Sequence, residues 1–212
     1  MVDTPSKKRV RRKEARPQEL VAAAVEAFAE QGFAGTKIED IARRAGVAKG
    51  TVYLYFATKD ALFEAAVREN ISPIFVKLDA LASERPTSAS QLLTTVIRRV
   101  YSELIENPTR RVVMQILITE GSRFPHLLQF YHDEVMAKGK QILRHVIQFG
   151  IDAGEFRSSP ALAVPEIIMS PAIMAAVWKM SFECISPLDM EQFVAAHIDM
   201  VLSGLRKTPR DA

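Results

Sequence analysis

Cysteine is almost missing from this chain of 212 residues. The single Cys184 excludes an internal disulfide framework and any cysteine-rich zinc module. It stands in an apolar stretch with no histidine beside it, and reads as a small buried side chain. Glycine is scarce, at 9 residues, and alternation of β-branched residues is nearly absent, so no sheet is expected. No apolar run is long enough to span a bilayer. The most apolar segment, 161–178, is interrupted by Pro165, Glu166, Ser170 and Pro171. No signal peptide is read either, because Glu26 and Glu30 break the first apolar stretch. No membrane partner is expected, and the cytoplasm is the expected location. The dinucleotide, P-loop, serine-hydrolase and zinc-protease signatures are absent. His126, His132, His145 and His197 fit no metal-ligand spacing, so neither an enzyme nor a metal or cofactor site is expected.

What is present is a core-forming composition with a lopsided charge. Apolar residues make up 48% and charged residues 25%, enough to pack a globular core. Net charge is only +3, yet residues 1–16 carry Lys7, Lys8, Arg9, Arg11, Arg12, Lys13 and Arg16 against Asp3 and Glu14. The positive excess sits at one end, which points to an anionic partner for that end alone.

The fold class is all-α, because apolar residues recur at three- and four-residue spacing throughout. About nine helices are expected. The first starts at Pro17, with Leu20, Ala24, Ala27 and Phe28 on its inner stripe and Gly32 as its stop. Thr36 and Glu39 form a capping box for a short second helix that ends before Gly46. A third covers 49–56. Thr58 caps a fourth over 60–82, and others follow over 88–106, 109–120, 125–150, 161–182 and 188–205. The last two are unusually apolar, the first of them nearly all round. Such a helix must be covered on all sides, and a second subunit would cover it. Val177, Phe193, Val194, Ile198, Val201 and Leu202 are the expected dimer interface.

Residues 38–55 meet the physical needs of a helix-turn-helix. Ala42 is small where two helices cross, and Gly46 tolerates the positive φ of the turn. Ile41, Ala45, Val47, Val52 and Tyr55 supply inward apolar groups. The run from Phe28 through Gly32-Phe33, Thr36 and Ile38–Phe63 closely resembles the N-terminal domain of the TetR family of transcriptional regulators. Thr119–Pro125 followed by a long helix resembles, more distantly, the C-terminal domain of its AefR-like subgroup.

The resemblance implies a homodimer that binds a palindromic double-stranded DNA operator and is released by a small-molecule inducer. It divides the chain into a basic arm (1–16), a DNA-binding domain (17–60) and a ligand-binding and dimerisation domain (61–212). It places Lys49, Gly50, Thr51, Tyr53 and Tyr55 on the recognition helix, where amides, a cation and phenols meet phosphates or base edges. Thr36 and Lys37 serve the start of the second helix, and Thr58 and Lys59 the start of the fourth. Ala48 departs from the Ser or Thr frequent in the family and leaves the recognition helix without a side-chain cap. A pocket in the second domain would draw on Tyr101, Met114, Phe130, Tyr131, Met174 and Trp178, which suit an apolar or aromatic ligand. A regulator of the same fold under control of a protein partner, or with no ligand at all, is the alternative.

Overall fold

A computed structural model describes the backbone of residues 7–83 and 88–207, and the side chains of 17–78 and 88–207. The side chains of the basic arm and the expected break at Pro86 lie outside these residues. The described elements are helical. They are α1 (Lys7–Gly35), α2 (Ile38–Arg44), α3 (Lys49–Tyr53), α4 (Lys59–Asn70), α5 (Ser72–Ser83), α6 (Ala89–Glu106), α7 (Pro108–Glu120), α8 (Pro125–Tyr131), α9 (Ala137–Asp152), α10 (Glu166–Ser181) and α11 (Met190–Leu205). A π turn (His132–Met136) follows α8, and a 3-10 turn (Pro160–Leu162) precedes α10.

Each of the expected helices is present, and two are divided. The expected fourth helix breaks at Ile71 into α4 and α5. Pro73 lacks the N–H that would continue the ladder, although the apolar spacing runs on across it. The π turn divides α8 from α9. Three boundaries also move. Helix α1 begins at Lys7 and carries Pro17 inside it, and α10 begins at Glu166, not at 161. α3 stops at Tyr53 rather than Phe56.

The chain forms two compact units, 1–70 with 112–130, and 71–111 with 131–212. The first is larger than the expected 17–60 because aromatic packing recruits later residues. Phe33 is buried and packs its ring against Phe28 at 5.3 Å, Phe63 at 5.9 Å and Phe124 at 4.9 Å. In the second unit, Leu93, Ile97, Val146, Ile147 and Ala172 form the fully buried centre. There the Glu155 carboxylate accepts hydrogen bonds from the Ala89 N–H at 2.7 Å, the Ser90 N–H at 3.1 Å and the Ser88 hydroxyl at 2.9 Å, at the start of α6. Burial works against its charge, but these donors win and hold its carboxyl below the ordinary range.

Among the described residues no helix is long and apolar enough to cross a membrane. Cys184 is exposed, which corrects the expectation of a buried thiol: it lies past the end of α10, in the turn before α11.

Candidate nucleic-acid interface

The turn between α2 and α3 is a Schellman motif. Gly46 has φ of 64°, its N–H donates to Arg43 O at 3.2 Å, and the Val47 N–H donates to Ala42 O at 2.9 Å. The two short helices then cross over buried Ile41, Ala42 and Val52. Helix α3 is five residues long, and Val52 alone of them is buried. Its N-cap, Ala48, makes no side-chain hydrogen bond.

The outward side of α3 carries Lys49, Gly50 and Tyr53, with Tyr53 47% exposed and Tyr55 just beyond at 36%. Thr51 is half-buried. Lys49 Nζ lies 2.5 Å from Glu39 Oε1 and 5.7 Å from the centre of the Tyr53 ring. The hydrogen bond to Glu39 raises the ammonium and lowers the carboxyl from their ordinary values. Both groups are exposed, so the pair is a weak one that a phosphate can displace.

Two expected contact residues are committed inside the protein. Thr36 is buried, and its hydroxyl donates to Gly32 O at 2.7 Å and Ala27 O at 3.1 Å. It ties down the end of α1, and is not free to cap α2 or to meet DNA. The cap of α2 is Lys37, whose N–H donates to Asp40 Oδ2 at 3.2 Å. Lys37 itself is exposed. The Lys59 ammonium donates to Phe33 O, to Thr36 O at 2.9 Å and to Ala34 O at 3.4 Å, and stands 4.4 Å over the Phe33 ring. Desolvation lowers its pKa despite Asp60 and Glu120. This cation satisfies carbonyls at the end of α1, the place where a helix dipole favours positive charge. Thr58 is exposed, and its hydroxyl accepts from the Ala61 N–H at 3.1 Å as the cap of α4.

Glu120 escaped the sequence reading. Its carboxylate accepts from the Phe33 N–H at 2.7 Å and the Ala34 N–H at 2.8 Å. Gly32 has φ of 71°, which favours glycine, and a side chain there would press on the Glu120 carboxylate, 2.8 Å from Oε1. His126 Nε2 adds a second tie, 3.2 Å from Asp60 Oδ1. The signal in the sequence was the Thr-Glu-Gly run at 119–121, which spacing alone cannot connect to Phe33.

The expected ligand residues do not form one lining. Met114 and Phe130 belong to the first unit, where the Arg68 guanidinium stands 4.7 Å from the centre of the Phe130 ring. Tyr101, Tyr131, Met174 and Trp178 belong to the second. Tyr101 is buried, with its hydroxyl 3.0 Å from His197 Nδ1. Burial pushes the phenols of Tyr101 and Tyr131 up to about 12. The Trp178 indole N–H donates to Ser186 O at 2.6 Å, and its ring meets Phe182 at 5.0 Å.

The expected dimer residues are corrected in part. Val194, Ile198 and Leu202 are buried within the chain itself, with His197 and Leu205. The apolar stripe of α11 is its inner face. Val177, Phe193 and Val201 are half-buried. The uncovered apolar groups are Ile167, Ile173 and Met174 on α10 and Met200 on α11.

Comparison with known proteins agrees with this architecture. Residues 20–66 match the family described as bacterial regulatory proteins, tetR family. Residues 91–204 match the AefR-like transcriptional repressor, C-terminal domain. The chain is 29% identical to the fatty acid metabolism regulator protein of Bacillus subtilis over 147 residues, 68% of this chain and 74% of the relative. It is 28% identical to the HTH-type transcriptional repressor KstR2 of Mycolicibacterium smegmatis over 99% of this chain and 97% of the relative. Among solved structures it resembles FadR of Bacillus subtilis in complex with stearoyl-CoA, with TM-score 0.75 and 24% identity over 88% of this chain and 98% of that one. A SmeT–triclosan complex aligns with TM-score 0.77 and 21% identity over 92% of this chain and 93% of that one.

Proposed function

The chain belongs to the TetR family of bacterial regulators, and from that premise we propose that it is a repressor that binds a palindromic operator as a homodimer. The first unit reads DNA through α3, and the second takes a small, mainly apolar molecule that releases it. The observation that carries this reading is α3 itself, anchored by Val52 and turning Lys49, Gly50 and Tyr53 outward. Lys37, Thr51, Tyr55 and Thr58 flank that face. A cation, phenols, hydroxyls and helix-end amides are the groups that hold a phosphate backbone. The basic residues of 7–16 would add phosphate contacts.

Dimerisation is assigned to α10 and α11. Ile167, Ile173 and Met174 form an uncovered apolar face whose burial in a second copy would stabilise the pair. The apolar character of the ligand is supported by the relatives, one named for fatty acid metabolism and two structural neighbours holding stearoyl-CoA and triclosan. Tyr101, Tyr131 and Trp178 remain the candidates for its site in the second unit, while Met174 faces outward with Ile167 and Ile173.

The test is fluorescence anisotropy of a duplex selected from a random pool with the full chain. A palindromic duplex that binds at two chains per site, and is released by stearoyl-CoA or another long-chain acyl compound, supports the reading. Binding that no apolar compound disturbs removes the ligand-released part of it.

A further inference from the structure

Two residues, Gly50 on the outward face of α3 and Leu54 at its C-cap, have no explanation inside the protein. Gly50 has ordinary helical φ, since only Gly32, Gly46 and Gly154 are positive, and a methyl group added there would meet no protein atom within 4 Å. Neither backbone conformation nor packing demands a glycine, which weakens a helix relative to alanine. Leu54 is 81% exposed. Its side chain can neither donate nor accept a hydrogen bond, so that side chain makes no hydrogen bond to a phosphate. The two positions lie one turn apart on the same side, and the Leu54 N–H donates to Gly50 O at 3.2 Å.

A partner surface that comes close at Gly50 and offers an apolar spot beside Leu54 accounts for both. Lys49, next to Gly50, is exposed and its one ion pair, with Glu39, is solvent-exposed and weak, so an anionic partner surface can take over the ammonium. In the major groove of B-DNA the apolar group presented by the bases is the C5 methyl of thymine. We propose that Leu54 packs on a thymine C5 methyl in each half-site, with Gly50 setting how closely the helix approaches, so that Leu54 determines sequence preference at that base pair. This rests on the DNA-binding reading above.

The experiment uses the full chain and a palindromic duplex selected from a random pool. Each thymine is replaced in turn by deoxyuridine, which removes the methyl and leaves the pairing edge unchanged. One symmetry-related thymine pair is expected to lose affinity about fourfold for one half-site and about fifteenfold for both, the value of one buried methyl each. In Leu54→Ala that dependence disappears, with the melting temperature unchanged because the side chain is exposed. Gly50→Ala should fold at least as stably and bind the duplex at least tenfold more weakly. A selected duplex with no thymine sensitive to deoxyuridine, or an unchanged thymine-to-deoxyuridine ratio in Leu54→Ala, overturns the proposal and leaves DNA binding standing. Undiminished binding by Gly50→Ala overturns the close approach. If no duplex can be selected, the DNA-binding reading fails and this inference with it.

Discussion

Lys59 and Tyr53 lie six residues apart and have opposite fates. The Lys59 ammonium is engaged with three carbonyls at the end of α1, so its loss should be a stability effect. Lys59→Met should lower unfolding free energy by about 1.5–3 kcal/mol, the range for hydrogen bonds to a charged group, as read from urea denaturation. Tyr53→Ala should do the reverse: affinity for the selected duplex falls while the melting temperature holds, because the ring is half in solvent. A large fall in melting temperature would make Tyr53 a packing residue. His197 gives a pH signature. Desolvation lowers its pKa in the folded chain, against the pull of the Ile168 backbone. The fold thus prefers the neutral ring, and its stability is full above the ordinary value of 6.5 and lost as pH falls below it. The loss of stability between pH 7.5 and 5.5 should be smaller in His197→Gln, which cannot titrate, than in the parent. Equal losses would mean that the buried ring takes up a proton as easily as an unfolded one.

Among the elements, α3 is held by little, with Val52 its one buried residue. Ala48 caps it without a side-chain bond, so Ala48→Ser should stabilise the chain by about 0.5–1 kcal/mol, measured by thermal unfolding. The helix-turn-helix was legible in the sequence because its demands are local. A small residue at Ala42, a positive φ at Gly46 and inward Val52 leave few other ways to fold those residues. The end of α1 was not legible in the same way. Thr36 followed by Glu39 fits a capping box, but the buried Thr36 hydroxyl finds carbonyls in α1 first, and Asp40 takes over the cap. Glu120 reaches Phe33 across 87 residues, and nothing in local spacing encodes that pairing. The stripe on α11 was read as a buried face, and Val194, Ile198 and Leu202 are already covered within the chain itself. Periodicity shows that Val194, Ile198 and Leu202 are shielded from water, not whether the same chain or a second one does it. Pro73 was visible in the sequence and still overrun, since apolar residues keep helical spacing on both sides of Ile71.

At the scale of the whole molecule, the chain passes between its two units at Asn70–Ile71, Arg111–Val112 and Phe130–Tyr131. The first of these coincides with the break between α4 and α5, and the third falls at the end of α8, one residue before the π turn. Dimerisation should depend on the uncovered face of α10. Ile167→Glu with Ile173→Glu places charges on exposed positions, so the chain should fold normally and sediment as a monomer that binds DNA poorly, since one recognition helix reads only a half-site. Ile198→Glu should instead unfold the chain, because that side chain is buried within it. The central claim, a dimer that grips a DNA backbone through α3 and its flanks, is tested most directly by the salt dependence of binding to the selected palindrome. With about four phosphates neutralised by each subunit, the logarithm of affinity should fall against the logarithm of salt with a slope near −7. A slope near zero, or no binding at low salt, would contradict it.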